Sequence, residues 1–237
     1  MFRKVQLPNV PGRLLLHSMP GRYEPFDAFL AKAGEENVSA IVALSPREEI
    51  ARKSLQYGHA LKHGETRLPE VIEAPIPDFG VPADKGVAIF YAALAEARNR
   101  LSGGETVLVH CGAGRGRTGT YAAALLSKLG FPLTAALKMV ATAGSGPETD
   151  EQRSLVERIS RERDFGTLGL EIGDEVEGPQ GARATVASGV GGSPLKMVEP
   201  PQEGLVTLMY ATRRMLGQEV SGYAEALRLW SHKGKPL

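Results

Sequence analysis

Residues 106–129 constrain the fold more than any other stretch of this chain. Thr106-Val107-Leu108-Val109-His110 is an apolar, β-branched run without alternation, the pattern of a strand buried on both faces. A turn carrying Gly112, Gly114 and Gly116 follows at once. Thr118 to Leu129 is then apolar nearly all round through Ala122-Ala123-Ala124-Leu125-Leu126, and predicts a buried helix ending at Gly130. A central strand feeding a buried helix belongs to an α/β domain with parallel pairing.

The remaining segments up to about residue 165 alternate in the same way. Arg13 to His17, Val38 to Leu44 and Val71 to Ile76 read as strands, and Pro75 and Pro77 stop the last of them, placing Asp78 in a loop. Helices are predicted over Pro25 to Ala33, Asp84 to Leu101, Leu133 to Ala143 and Thr149 to Arg163. Composition changes after Phe165: glycines crowd the chain to Pro201, with short candidate strands at Ala182 to Ala187 and Leu195 to Val198. Helical patterning returns over Gly204 to Leu216 and Ser221 to Trp230. The expected organisation is residues 1–165 as one domain with a central, mainly parallel sheet flanked by helices, and residues 166–237 as a β-plus-helix extension of unassigned role. An extension of about 70 residues makes a marginal core alone, so docking on the first domain is expected.

Charge excludes some partners. Twenty-eight lysines and arginines against 27 acidic residues leave +1, so global electrostatics provide no drive toward nucleic acid or an anionic membrane, and any preference for an anion is local. Cys111 is the single cysteine, which rules out an intramolecular disulfide framework and a cysteine-built zinc site, and fits a reducing compartment. The N-terminus lacks a signal-peptide pattern and no window reaches a bilayer-spanning length, so a cytoplasmic protein without an integral membrane segment is expected. His17, His59, His63 and His232 are scattered without metal-ligand spacing and read as packing or surface residues. Oligomeric state is not legible.

The chemistry concentrates in His110-Cys111-Gly112-Ala113-Gly114-Arg115-Gly116-Arg117-Thr118. Three glycines permit a tight backbone whose N–H groups converge on an anion, and the following helix adds its unsatisfied donors and positive end at the same point. Gly112 through Gly116, with Arg117, therefore read as a phosphate cradle. A thiol at its start is expected to favour thiolate, because converging amides, the helix dipole and a guanidinium all stabilise the charged form. Arg117 offers a planar fork to two phosphate oxygens. Thr118 is expected to hydrogen-bond the sulfur. A lone cysteine or a glycine-rich turn alone is commonly structural; the conjunction of Cys111, Arg117 and Thr118 at this spacing carries the reading.

His110 to Thr118 resembles the signature of the cysteine-dependent protein tyrosine and dual-specificity phosphatases: His-Cys, five residues, Arg, then Ser or Thr. The resemblance covers about residues 10 to 164. It implies a protein tyrosine phosphatase-like sheet flanked by helices, a covalent phosphocysteine intermediate, and no metal or organic cofactor. It also implies a general acid on a loop upstream of the cysteine, which matches Asp78 within Pro75-Ile76-Pro77-Asp78-Phe79-Gly80; Asp84 is the fallback. Pro147-Glu148-Thr149-Asp150-Glu151-Gln152 resembles a segment of small atypical dual-specificity phosphatases that borders the active site. There Gln152 positions the hydrolytic water and Glu148 pairs with Arg117 or another loop arginine. The competing reading is a helix cap, with Thr149 as N-cap and Gln152 as its reciprocal partner. His110 is expected to order the loop rather than move protons.

Substrate choice is less legible. Arg115 stands where phosphoinositide phosphatases of this superfamily carry lysine, but the position after the cysteine, basic in those enzymes, is Gly112. Pro20-Gly21-Arg22-Tyr23 reads as a plain turn ahead of a pocket-rim segment. The expectation is hydrolysis of a phosphorylated protein, with a small non-protein phosphomonoester such as a phosphoinositide or inositol phosphate second. A non-catalytic phosphate-binding module is third. An arsenate reductase would need further cysteines, and a sulfurtransferase would not need Arg117 and Thr118.

Overall fold

The computed structural model describes residues 2–83, 85–161, 175–177, 183–186, 195–197, 231–232 and 235–236. The chain separates into two compact units, Met1–Ser160 and Arg161–Leu237. The first is built on a five-stranded sheet of β1 (Arg3–Val5), β2 (Arg13–His17), β3 (Val38–Ala43), β4 (Glu70–Glu73) and β5 (Thr106–His110) in the order β1-β2-β5-β3-β4. Only β1 pairs antiparallel; the other four strands run parallel, with β5 at the centre.

Alternation along each strand sends side chains to two separate cores. Leu14, Leu16, Val42, Val107 and Val109 face a cluster completed by α4 (Lys85–Ser102), α5 (Gly116–Lys128), α6 (Leu133–Thr142) and α7 (Asp150–Arg161). Leu15, Ile41 and Leu108 face the other cluster, closed by Phe29 and Leu30 of α1 (Phe26–Glu35), Ile50 of α2 (Arg47–Lys53), and Tyr57 and Ala60 of α3 (Leu55–His63). The expected sheet flanked by helices is therefore the observed fold. Gly119 lets the loop before α7 pass close against α5: a Cβ there would overlap the Gly146 backbone.

Register sets the site. His17 lies opposite His110, His110 opposite Ala43, and Ala43 opposite Glu73, so the carboxyl ends of four parallel strands finish in one row. Ligands of open α/β sheets bind beyond such ends. β4 is shorter than expected, although Ala74 N–H and Ile76 N–H still donate to Ala43 O and Leu44 O, carrying the extended chain to Ile76 before Pro77 turns it. α5 begins at Gly116, two residues earlier than its apolar pattern suggests, because Gly116 and Arg117 already have helical geometry. β1, α2 and α3 lack a readable period and were not expected; α2 places one buried apolar residue, Ile50, among charged neighbours.

The second unit contains β6 (Glu175–Glu177), β7 (Arg183–Val186), β8 (Leu195–Met197), β9 (Ser231–His232) and β10 (Lys235–Pro236), an antiparallel sheet in the order β10-β9-β6-β7-β8. The helices expected over 204–216 and 221–230 lie outside the described residues, as does Asp84. Among the described residues no helix is long and apolar enough to cross a membrane.

Candidate active site

Beyond the carboxyl ends of β2, β3, β4 and β5 lies a cavity of about 170 Å³ whose floor is Cys111, Gly112, Ala113 and Gly116. Its walls carry Arg22, Lys53, Asp78, Phe79, Arg117 and Glu148. Cys111 is 3% exposed, and its Sγ accepts the Gly114 N–H at 3.2 Å. Gly114 has φ +74, and a Cβ there would overlap the His17 carbonyl, so this position of the loop needs glycine. The Gly114 carbonyl accepts from Ser145 Oγ at 2.7 Å and from the Arg3 guanidinium. Because the two ends of a trans peptide point oppositely, this turns the Arg115 N–H away from Ser145 and Arg3. The loop is also pinned from the segment after β2, where Met19 N–H donates to Gly112 O at 3.3 Å.

His110 is fully buried. Cys111 O lies 3.4 Å from its Nδ1 and Tyr57 Oη 3.0 Å from its Nε2. A carbonyl only accepts, so Nδ1 carries the proton and Nε2 accepts from the phenol, which burial keeps protonated. Burial, ahead of the charges around it, pushes the His110 pKa down to about 3. His110 is thus a neutral strut under the loop.

Arg117 reaches back from α5 to the opposite wall. Its Nη1 donates to Glu49 Oε2 at 2.7 Å and to Ile76 O at 3.2 Å, and its Nη2 to Glu49 Oε1 at 3.0 Å. This end-on fork leaves Nε clear of Glu49, while Asp78 Oδ1 stands 2.8 Å from Nη2, where an incoming anion would displace it. Lys53, one turn along α2, donates to Glu49 Oε1 at 2.7 Å. Burial opposes ionisation of Glu49, yet hydrogen bonds and charge from Arg117 and Lys53 outweigh it and hold its carboxyl at about 2. On Arg117 burial is likewise outweighed, by the Glu49 hydrogen bonds and the charges of Cys111, Glu49 and Asp78, and its pKa is raised. Glu49 and Lys53 were not anticipated. Glu48-Glu49 in a first helical turn reads only as dipole compensation, and the signal available was that this turn directly follows a parallel strand.

Asp78 sits at the cavity mouth with its side chain 55% exposed, its Oδ1 2.8 Å from Arg117 Nη2 and its Oδ2 3.9 Å from Lys53 Nζ. Four other expectations require correction. Arg117 pairs with Glu49 and Asp78 rather than with Glu148, whose carboxylate stands over Gly116. Thr118 Oγ1 is buried and finds no hydrogen-bond partner among the described residues, while the sulfur accepts from the Gly114 amide instead. The Arg115 side chain is exposed and outside the cavity wall; the additional cation there is Arg22, from the segment read as a turn. Gln152 is fully buried behind Gly116, next to the cavity but not in its lining, with both ends of its amide committed: Oε1 accepts the Glu148 N–H at 2.8 Å and Nε2 donates to Gly80 O at 3.1 Å. Its backbone N–H donates to Thr149 Oγ1 at 3.2 Å, the arrangement of a cap. Through Gly80 it tethers the loop bearing Asp78.

Residues 9–164 match the family model described as Swiss Army Knife protein, DSP-PTPase phosphatase domain. Receptor-type tyrosine-protein phosphatase V of Rattus norvegicus is 33% identical over 86 residues, 36% of this chain and 5% of that protein, so the chain spans about a twentieth of this curated relative. Among solved structures, Tk-PTP in the active form is 28% identical with a TM-score of 0.51, covering 67% of this chain and 100% of that one. The kinase associated phosphatase KAP, with its catalytic-site cysteine replaced by serine, shares the fold at 17% identity and a TM-score of 0.59, over 69% and 97% of the two chains. PTPMT1 does so at 19% identity and 0.51, over 68% and 94%.

Proposed function

The chain belongs to this family of DSP-PTPase phosphatase domains, and from that premise we infer that it hydrolyses phosphomonoesters through a phosphocysteine on Cys111. The observation that carries the reading is the placement of Cys111 Sγ on the floor of a cavity walled by the Arg117 guanidinium and the Asp78 carboxyl. The work is assigned to residues 1–165, in an enzyme without metal or organic cofactor.

The Cys111 thiolate attacks phosphorus while the bond to the leaving oxygen breaks. The loop amides from Gly112 to Gly116 and the Nε edge of Arg117 hold the equatorial oxygens. Asp78, displaced from Arg117 by the incoming phosphate and protonated, gives its proton to the leaving oxygen. In the second step the Asp78 carboxylate takes a proton from water, whose oxygen attacks phosphorus. The P–S bond breaks, inorganic phosphate departs and the thiolate is restored. Gln152 contributes by tethering the Asp78 loop, and Glu49 by aiming Arg117.

A phosphorylated protein is the first substrate class, supported by the tyrosine phosphatase relatives. A small non-protein phosphomonoester is the second, favoured by Arg22 beside Gly112. The test is turnover of p-nitrophenyl phosphate: Cys111→Ser should abolish it while retaining phosphate binding, and undiminished turnover would overturn the mechanism. Asp78→Ala should slow alkyl phosphates at least tenfold more than aryl phosphates, because only poor leaving groups depend on the acid; equal slowing would remove Asp78 from that role.

A further inference from the structure

The geometry points to a second-anion subsite at Arg22, and hence, within the second substrate class above, to a small polyol phosphomonoester carrying another phosphate on a neighbouring carbon; this rests on the phosphatase reading above. Three cations line the cavity, but two are already committed. Arg117 holds Glu49 and Asp78, and Lys53 holds Glu49. Arg22 is half-buried and, among the described residues, has no carboxylate partner; its guanidinium lies over the Tyr23 ring, 4.7 Å from the centroid. Stacking fixes the direction of a guanidinium without neutralising it. A cation partly withdrawn from water into a cavity, oriented and unpaired, is the group an anionic ligand would complete.

Gly112 marks the point of the cavity at which Arg22, Arg117 and Glu49 converge. A Cβ at this position would stand 3.1 Å from Arg22 Nη1, 3.2 Å from Arg117 Nη2 and 2.7 Å from Glu49 Oε1. A side chain at this position would have to push these three side-chain ends aside, and the positive charge beside it arrives through space from Arg22 in the β2–α1 connection. The two guanidiniums thus stand side by side on the cavity wall. The loop amides and the Nε edge of Arg117 provide for the scissile phosphate, which leaves Arg22 for a second group beside it. Phosphates on adjacent carbons of a polyol have that closeness. Side chains of successive residues in an extended peptide point to opposite sides, so a doubly phosphorylated peptide does not present two phosphates to one wall in this way. The cavity, about 170 Å³, also lies below the usual range for drug-sized ligands, so what enters is small or enters by one end.

The experiment measures kcat/KM of the full chain for p-nitrophenyl phosphate, an inositol monophosphate, a vicinal inositol bisphosphate, the same bisphosphate as a lipid headgroup in phosphatidylcholine vesicles, and a doubly phosphorylated peptide. The free or the vesicle-borne bisphosphate should exceed the monophosphate by about tenfold or more, the scale of one charge-assisted contact. Arg22→Met should remove that advantage and Arg22→Lys restore part of it. An advantage in either bisphosphate arm supports the subsite, and the larger arm identifies the source. Equal loss on mono- and bisphosphate in Arg22→Met, no bisphosphate advantage in the unaltered chain, or an Arg22-dependent advantage confined to the peptide overturns it. If p-nitrophenyl phosphate is turned over and the advantage is missing, only the subsite fails; if it is not turned over, the phosphatase reading fails with it.

Discussion

The floor and the far wall of the cavity are held by different forces. The floor, from His110 to Gly116, is a backbone construction: an amide on the sulfur, the Gly114 carbonyl gripped by Arg3 and Ser145, and a neutral imidazole beneath. The wall is a charge construction, in which Arg117, Glu49, Lys53 and Asp78 orient one another. Steric fit makes a floor that either has its shape or loses it. Ion pairing makes a wall that can exchange partners, which is what the Asp78 to phosphate handover at Arg117 requires. Catalysis by this arrangement needs both, since a nucleophile must not move and a general acid must.

The contrast can be broken most severely at the floor. Gly114→Ala places a Cβ into the His17 carbonyl at φ +74, so turnover should fall at least a hundredfold and stability by about 2 kcal/mol or more. Near-normal turnover would show that the loop tolerates another shape. At the wall the effect should be smaller. Glu49→Gln keeps the shape but removes the charge that aims Arg117, so kcat/KM should drop about tenfold, with a stability loss of about 2 kcal/mol read from denaturant unfolding. An unchanged kcat/KM would mean that Arg117 is aimed by Ile76 O and the loop alone.

Acidification separates the two regions with the gentlest perturbation. His110 has a folded pKa of about 3, below its unfolded value near 6.5, so the unfolded chain binds the extra proton first. Its stabilising contribution is complete above pH 6.5 and is lost as pH falls toward 3. Glu49, held at about 2 against an unfolded 4.5, contributes in full above 4.5 and loses that contribution as pH falls toward 2. Melting temperature should therefore decline from about pH 6.5 downward, with a further decline below about 4.5 that Glu49→Gln removes. A melting temperature flat from pH 7 to 5 would mean that His110 is not buried neutral.

The backbone of the floor was legible in the sequence, as were Arg117 and Asp78 of the wall; the groups that hold them, Arg3 and Ser145 at the floor and Glu49 and Lys53 at the wall, were not. Cys111, Gly114 and Arg117 belong to one contiguous segment, and their chemistry depends on backbone shape and spacing that a linear pattern records. Glu49, Lys53 and Arg22 come from segments whose own patterns spell only a helix start and a turn. Gln152 shows the opposite error: the capping and catalytic readings share the same sequence, and only its contacts with Glu148 and Gly80 separate them. Thr118 fails for a similar reason, because adjacency to the arginine does not fix where a hydroxyl on a helix points.

By itself the sequence determined that an apolar strand must enter a glycine turn and a buried helix, and so an α/β sheet with a nucleophile at the turn. Local sterics and hydrophobic burial act along the chain and leave their periods in it. Only the tertiary structure decided which carboxylate holds Arg117 and which further cation lines the cavity beside Gly112. Those choices follow from β3 and β2 flanking β5 in register, and long-range register brings together charges that no local pattern connects.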